Sequence, residues 1–299
     1  MDIKLLEAFR AVVDNRSVTR AATVLGLTQP AVSAQIARLE ALVGFSLFER
    51  SGGRLKPTEE SRRFYSEVIN AIGMIDRLEQ IAENIRSGRD GDIVIASHPS
   101  ASISILPELV SRFVAAHPRA VVKMINRTSE EVRSVFSAAS VDIGIAELPI
   151  GLANIDLRRY LVDCVAILPT GHPAAVHDVI TPQILSGVPF ISMAPGRIIG
   201  HRIQNTFEEL DADFRVVAQA EYFSSICGMV ANGLGVSVVD RWSARSFKVH
   251  GLEVRPFMPS IAYEIGVFVS ADRPPSPLAS SFLKVLDQFL KMQTDLGSQ

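Results

Sequence analysis

Residues 16–54 read RSVTRAATVLGLTQPAVSAQIARLEALVGFSLFERSGGR, and this stretch decides how the chain begins. Its pattern predicts two short amphipathic helices joined by a tight turn, then a basic hairpin. Val18, Ala21, Ala22 and Leu25 share one face of the first helix, with Ser17 placed to cap its start. Gly26 closes it, since glycine adopts the left-handed conformation that ends a helix. Thr28 caps the next helix, and Pro30 suits a first turn whose backbone donors lack partners anyway. Val32, Ile36, Leu39, Leu42 and Val43 recur at helical spacing and face the first helix; Gln29, Ser33, Gln35 and Arg38 project from the other side. Small residues at Ala21 and Ala22 allow close helix approach. Such a pair is a helix-turn-helix whose second helix is free to enter a DNA major groove.

The flanks extend this reading. Upstream, Leu5, Leu6, Phe9, Val12 and Val13 make an amphipathic helix from the start, which predicts no signal peptide. Downstream, residues 58–86 contain no proline and a single glycine, and Phe64, Val68, Ile72, Ile75, Leu78, Ile81 and Ile85 recur every three or four positions. That long apolar stripe predicts a linker helix suited to a two-stranded coiled coil. Dimerisation would also let two recognition helices read two half-sites. Net charge is only −2, yet residues 1–65 carry +3 and the remainder −5, a mildly basic head on an acidic body. No apolar run approaches the roughly twenty residues that span a bilayer. Two cysteines, Cys164 and Cys227, are too few for a disulfide framework and agree with a cytoplasmic location.

Beyond Ser87–Asp92, a helix-breaking linker, β-rich and helical segments alternate. Strands are predicted at 92–96, 121–125, 141–146, 163–168, 188–192, 215–219, 236–239 and 263–269, and helices over 105–116, from Ser129 and over 278–290. Alternation of this kind predicts mainly parallel sheets covered by helices, in two α/β lobes. Ligands of such sheets sit beyond the carboxyl ends of strands, where helix N-termini offer free donors. The rule selects Ser97, Ser100 and Ala101 after the first strand, Asn126 and Thr128 after the second, Glu147 after the third, then Ser192 and Met193, and Tyr222. Plain helix capping competes as an explanation of each hydroxyl. Glu147 is the most informative: a carboxylate at a cleft favours a cationic group on its ligand.

The head resembles the N-terminal domain of the LysR-type transcriptional regulators, through LEAFRAVVDNRSVTRAATVLGLTQPAVSAQIARLEALVGFSLFER, Arg54 and the turn Lys56-Pro57-Thr58. The resemblance is close over about sixty residues and architectural beyond them. It implies a winged helix-turn-helix over residues 1–58, a linker and dimerisation helix over 59–88, and a periplasmic-binding-protein-like effector domain over 89–299. Within that domain it implies a first lobe of about 89–160 and 267–299 and a second of about 161–266. The family pattern puts Thr28, Gln29, Pro30, Ser33, Ala34, Gln35 and Arg38 toward DNA, with Arg50 and Arg54 of the wing on phosphates. It implies a pseudo-palindromic operator, a small-molecule effector and a dimer assembling into a tetramer; RNA polymerase is a further partner the role allows. Residues 231–240, ANGLGVSVVD, look similar to the subgroup answering to amino acids and opines. No cofactor and no metal is expected.

Rival functions fit less well. Gly233-Leu234-Gly235 lacks the third spaced glycine of a dinucleotide site, and there is no Gly-x-Ser-x-Gly elbow, His-x-x-x-His or Cys-x-x-Cys. The six histidines are scattered, so an enzyme is not expected. A solute-binding or metabolic enzyme domain with a helical head for partner binding is the alternative. A transport-type binding protein predicts a leader, and an architectural DNA protein has no use for two lobes.

Overall fold

The computed structural model describes residues 1–51, 54–87, 91–137 and 141–295. It divides into two compact units, Met1–Gly88 with Ser134–Val141, and Arg89–Arg133 with Asp142–Gln299.

The first unit opens with α1 (Ile3–Asn15), α2 (Val18–Leu25) and α3 (Gln29–Val43). Ser17 accepts a hydrogen bond from the Arg20 amide at 3.3 Å, and Thr28 accepts one from Ala31 at 3.4 Å, so both starts are capped by side chains. Gly26 takes φ 64° and ends α2, a conformation that a Cβ would disfavour. A two-stranded antiparallel ribbon, β1 (Phe48–Ser51) and β2 (Arg54–Pro57), leads into α4 (Glu59–Ser87). The core of this unit gathers Leu5, Phe9 and Val12 with Ala21, Ala22, Val32, Ile36, Leu39 and Leu47. Phe9 is fully buried, with the rings of Phe48 and Phe64 each centred 5.8 Å away.

Two expectations change here. Leu42 is 58 % exposed, because the interior already fills between Leu39 and Val43. Val68 and Ile72 are not free stripe positions: both are buried in the core of the head. The apolar face that α4 leaves open is farther along, at Met74, Leu78 and Ile81.

In the second unit, β3 (Gly91–Ser97) pairs in parallel with β4 (Ala120–Asn126) and β5 (Ile143–Glu147). The helix anticipated over 105–116 is preceded by a separate turn of helix: α5 (Pro99–Ser104), then α6 (Leu106–Ala116). Pro107 explains the break, since it has no amide to donate and its ring clashes with the carbonyl four residues back. Next come α7 (Ser129–Ser137), of which Ser129–Arg133 count to this unit, and the fifteen-residue β6 (Ile155–Pro169), where the sequence predicts a strand only over 163–168. The strands β7 (Phe190–Met193) and β8 (Val216–Ala220) form a separate parallel pair, joined through α8 (Ile198–Glu209). Then follow α9 (Phe223–Ala231), β9 (Ser237–Asp240), α10 (Arg241–Phe247), β10 (Leu252–Pro256), β11 (Ala262–Ser270) and α11 (Pro277–Asp295).

The main sheet is mixed rather than mainly parallel. β6 runs antiparallel to β11 through its first nine residues and to β9 and β10 through its last six, and β11 is antiparallel to β5. One strand thus serves both halves of the unit. β5 and β11 meet closely at Gly144, where a Cβ would collide with the Phe268 ring. Among the described residues, no helix is long and apolar enough to cross a membrane.

Candidate functional site

In the head, the start of α3 is presented outward. Thr28, Gln29, Pro30, Ser33, Ala34 and Arg38 are exposed, while Val32, Ile36 and Leu39 are anchored beneath. Gln35 departs from expectation: three residues after Val32 and four before Leu39, it shares their face. It is half-buried and its side-chain oxygen is enclosed without a hydrogen-bond partner. The wing is held by Glu40, whose carboxylate accepts the amides of Leu47 at 2.6 Å and Phe48 at 3.4 Å. Arg50 pairs with Leu55 and Arg54 with Ser51 through the backbone. The side chains of Arg50 and Arg54 lie outside the described residues. A concavity of about 1010 Å³ runs between the α1–α2 junction, the first residue of α3 and β2, bringing Arg16, Arg20, Lys56 and Gln29 to one surface. The capped start of α2 adds free amides and a positive dipole end to that basic rim. Arg16 and Arg20 were not singled out from sequence, and Lys56 was read only as part of the turn Lys56-Pro57-Thr58.

The second unit holds a cavity of about 550 Å³ lined by the start of α7, the end of β5 and the segment 194–198 that enters α8. Five charged side chains line it: Glu130, Glu147 and Glu221, with Arg133 and Arg197. The Glu147 amide donates to Ser129 Oγ at 3.0 Å, which locks the end of β5 to the start of α7. Burial pushes the Glu147 carboxyl above its ordinary range, and the Arg197 guanidinium pulls the other way. Arg197 also donates to the Glu221 carbonyl at 3.4 Å. Opposite charges facing one concave space suit a zwitterionic small molecule. Among the described residues, no group of histidine, cysteine, aspartate and glutamate could hold a metal ion.

Comparison with known proteins bears on both places. Residues 3–62 match the family described as "Bacterial regulatory helix-turn-helix protein, lysR family", and residues 86–291 match "LysR substrate binding domain". This chain belongs to the LysR family. It is a DNA-binding transcriptional regulator with a substrate-binding domain. It is 33 % identical over 285 residues to the transcriptional activator protein LysR of Escherichia coli (strain K12), covering 94 % of this chain and 91 % of that one. It is 27 % identical over 291 residues to the octopine catabolism/uptake operon regulatory protein OccR of Rhizobium meliloti, covering 97 % and 96 %. The solved structure of CbnR, a LysR family transcriptional regulator, superposes with a TM-score of 0.70 at 17 % identity, covering 97 % of this chain and 99 % of that one. That likeness concerns the fold.

In this LysR-family regulator the anticipated effector residues separate into three groups. Thr128 and Glu147 line the cavity. Thr128 is also a helix cap: its amide and hydroxyl donate to Glu131 Oε2 at 3.0 and 2.9 Å, and its oxygen accepts the Glu131 amide at 3.3 Å. Those donors pull the Glu131 carboxyl below its ordinary range. Asn126 is exposed at the end of β4, and Tyr222 is half-buried at the start of α9; neither lines the cavity, whereas the neighbouring Glu221 does. Ser97, Ser100, Ala101, Ser192 and Met193 are buried. Ala101 and Met193 belong to the hydrophobic core, and Met193 packs against Gly200. Arg197, Glu130, Arg133 and Glu221 went unremarked in the sequence, because the strand-end rule stopped at Met193, four residues short of Arg197.

Behind the cavity wall lies a buried polar cluster. Ser100 Oγ donates to Asp240 Oδ2 at 3.0 Å, tying α5 to the start of α10. Asp240 also accepts the Ser243 amide at 2.8 Å and hydroxyl at 2.7 Å. Burial raises the Asp240 carboxyl, and those donors oppose the shift. His98 is 1 % exposed, and burial pushes its imidazole down to about 4. Both thiols are free, and burial pushes Cys164 and Cys227 far above the ordinary thiol range. Both side chains lie in the hydrophobic core and pack there as small hydrophobes.

Proposed function

We propose that this regulator senses a small, amino-acid-like zwitterion in the cavity between Glu147 and Arg197. The observation that carries the reading is the facing of a half-buried carboxylate and a guanidinium across about 550 Å³, a volume suited to a metabolite. Arg197 is the partner for the ligand carboxylate and Glu147 for its ammonium. The octopine operon regulator among the relatives supports a ligand built from amino acids. Binding biases the equilibrium between two arrangements of the protein, and only differential affinity for the two changes how the heads engage DNA.

In the same proposal residues 1–58 form the winged head, 59–88 the linker helix and 89–299 the effector domain. Gln29, Pro30, Ser33 and Ala34 meet base edges of a pseudo-palindromic operator. Arg16, Arg20 and Lys56 join the wing arginines on phosphates. The exposed Met74, Leu78 and Ile81 of α4 support a homodimer through that helix, from which a tetramer is built. The chain acts in the cytoplasm, beside its DNA, and as a regulator rather than as an enzyme.

Calorimetry of the full chain against lysine, arginine, octopine and benzoate tests the ligand class. The reading expects one of the first three to bind and to alter operator affinity. Selective binding of benzoate, undiminished in Arg197→Gln, would overturn it.

A further inference from the structure

The last turn of α1 carries an acid in an unfavourable place. Asp14 precedes Asn15, the final residue of the helix, so its carboxylate stands at the negative end of the helix dipole. It also lines the concavity of the head, where among the described residues it is the only acid, set with Arg16, Arg20 and Lys56. A carboxylate on a surface that meets phosphates either repels them or cancels a cation that would hold one. The backbone leaves it there: Arg16 closes α1 at φ 50°, a left-handed value that a residue with a Cβ adopts at a cost. What remains adjustable is the direction of the Asp14 side chain.

Tyr65 sets that direction. Its ring packs edge-on against Phe9 with centroids 6.1 Å apart, which anchors it on the core of the head. From there the Tyr65 hydroxyl donates to Asp14 Oδ1. A carboxylate only accepts, so the bond is charge-assisted and the phenol must keep its proton to make it. Burial, and then the bond to Asp14, push the phenol above its ordinary value, which keeps the donor in place at neutral pH. Arg10, one turn back on α1, acts on Tyr65 in the opposite sense. Among the described residues Asp14 makes no ion pair, either with Arg10 or with the cations of the rim.

We propose that Tyr65 is a positioning residue for DNA binding, which holds the Asp14 carboxylate against α4 and away from Arg16, Arg20 and Lys56. This role rests on the reading of those three cations as phosphate contacts. Released from Tyr65, the carboxylate turns to a cation of the rim and removes up to one phosphate contact.

Fluorescence anisotropy of the full chain with mixed-sequence duplex DNA over a salt series tests this, because the slope of log affinity against log salt counts phosphate contacts. Tyr65→Phe keeps the ring against Phe9 and removes only the hydroxyl. It should lower the slope by about 0.9, one contact, so that each tenfold dilution of salt gains about eightfold less affinity than in wild type. In an Asp14→Asn background, which holds no charge to release, adding Tyr65→Phe should leave the slope of that background unchanged. A tyrosine that merely packs α4 on α1 would cost the same in both backgrounds. Equal losses in the two, or an unmoved slope in Tyr65→Phe alone, overturn the positioning role. Arg20→Gln separates this result from the reading beneath it. A wild-type slope in Arg20→Gln would mean that the rim does not meet phosphates, and both fall; a lowered slope there with an unmoved one in Tyr65→Phe overturns the positioning role alone.

Discussion

Replacing Glu147 with Gln should stabilise the unliganded protein while weakening its grip on a cationic ligand. The Glu147 carboxyl is raised by burial more than Arg197 lowers it, so folding favours its protonated form. An acid whose folded value lies above its unfolded one destabilises the fold whenever it is ionised. That cost is absent at pH well below its ordinary value of 4.5, grows as pH rises through that value to the higher folded one, and is constant above it. Gln keeps the size and removes the charge. Thermal unfolding of wild type and Glu147→Gln should therefore give a higher midpoint for the variant at pH 7, with the gap closing toward pH 4. For binding, a hydrogen bond to a charged group is worth about 1.5–3 kcal/mol, so affinity for lysine or arginine should fall roughly 10- to 150-fold. The two effects have opposite signs, which a merely structural residue cannot produce. A variant that is less stable at pH 7, or one that binds basic ligands as tightly as wild type, would refute the reasoning.

Other outcomes follow from the head and from α4. Gln29→Ala should alter the preferred operator sequence and cost about 1–3 kcal/mol on the best site, read by a binding-site selection; an unchanged preference would mean that α3 is docked differently. Arg20→Ala and Lys56→Ala should weaken binding to all sequences alike, each lowering the slope of log affinity against log salt by about 1. Leu78→Glu with Ile81→Glu should yield monomers by light scattering with the head still folded. Ile72→Glu, at a site 1 % exposed in the head core, should instead unfold the head, and the pair separates interface from core. Both cysteines should resist a thiol reagent in the native chain and react only on unfolding, as their burial dictates.

What was legible in the sequence was whatever local chemistry decides alone. Ser17, Gly26 and Thr28 mark helix ends because caps and left-handed turns depend on one or two residues, and all three act as expected. The stripe of α4 was also visible, but periodicity reports only that a face is apolar, not what covers it. Val68 and Ile72 went to the head core and Leu78 and Ile81 to the surface for reasons held in α1, not in α4 itself. Strand direction was illegible for a related reason. Nothing in the composition of β6 shows that it runs antiparallel to strands from both halves, since that follows from where β9, β10 and β11 return.

The site divides along the same line. Glu147 stood out because a carboxylate ending a buried apolar strand is locally costly and asks for a reason. Arg197 did not, since a loop arginine is ordinary until folding brings it to the same cavity as the Glu147 carboxylate. Ser100 shows the limit most directly. Sequence placed it at a helix start and so as a ligand donor, yet its proton goes to a carboxylate 140 residues away. Ser100 therefore ties α5 to the start of α10 from within the buried cluster instead of lining the cavity, and only the return of a chain segment 140 residues away makes that role visible.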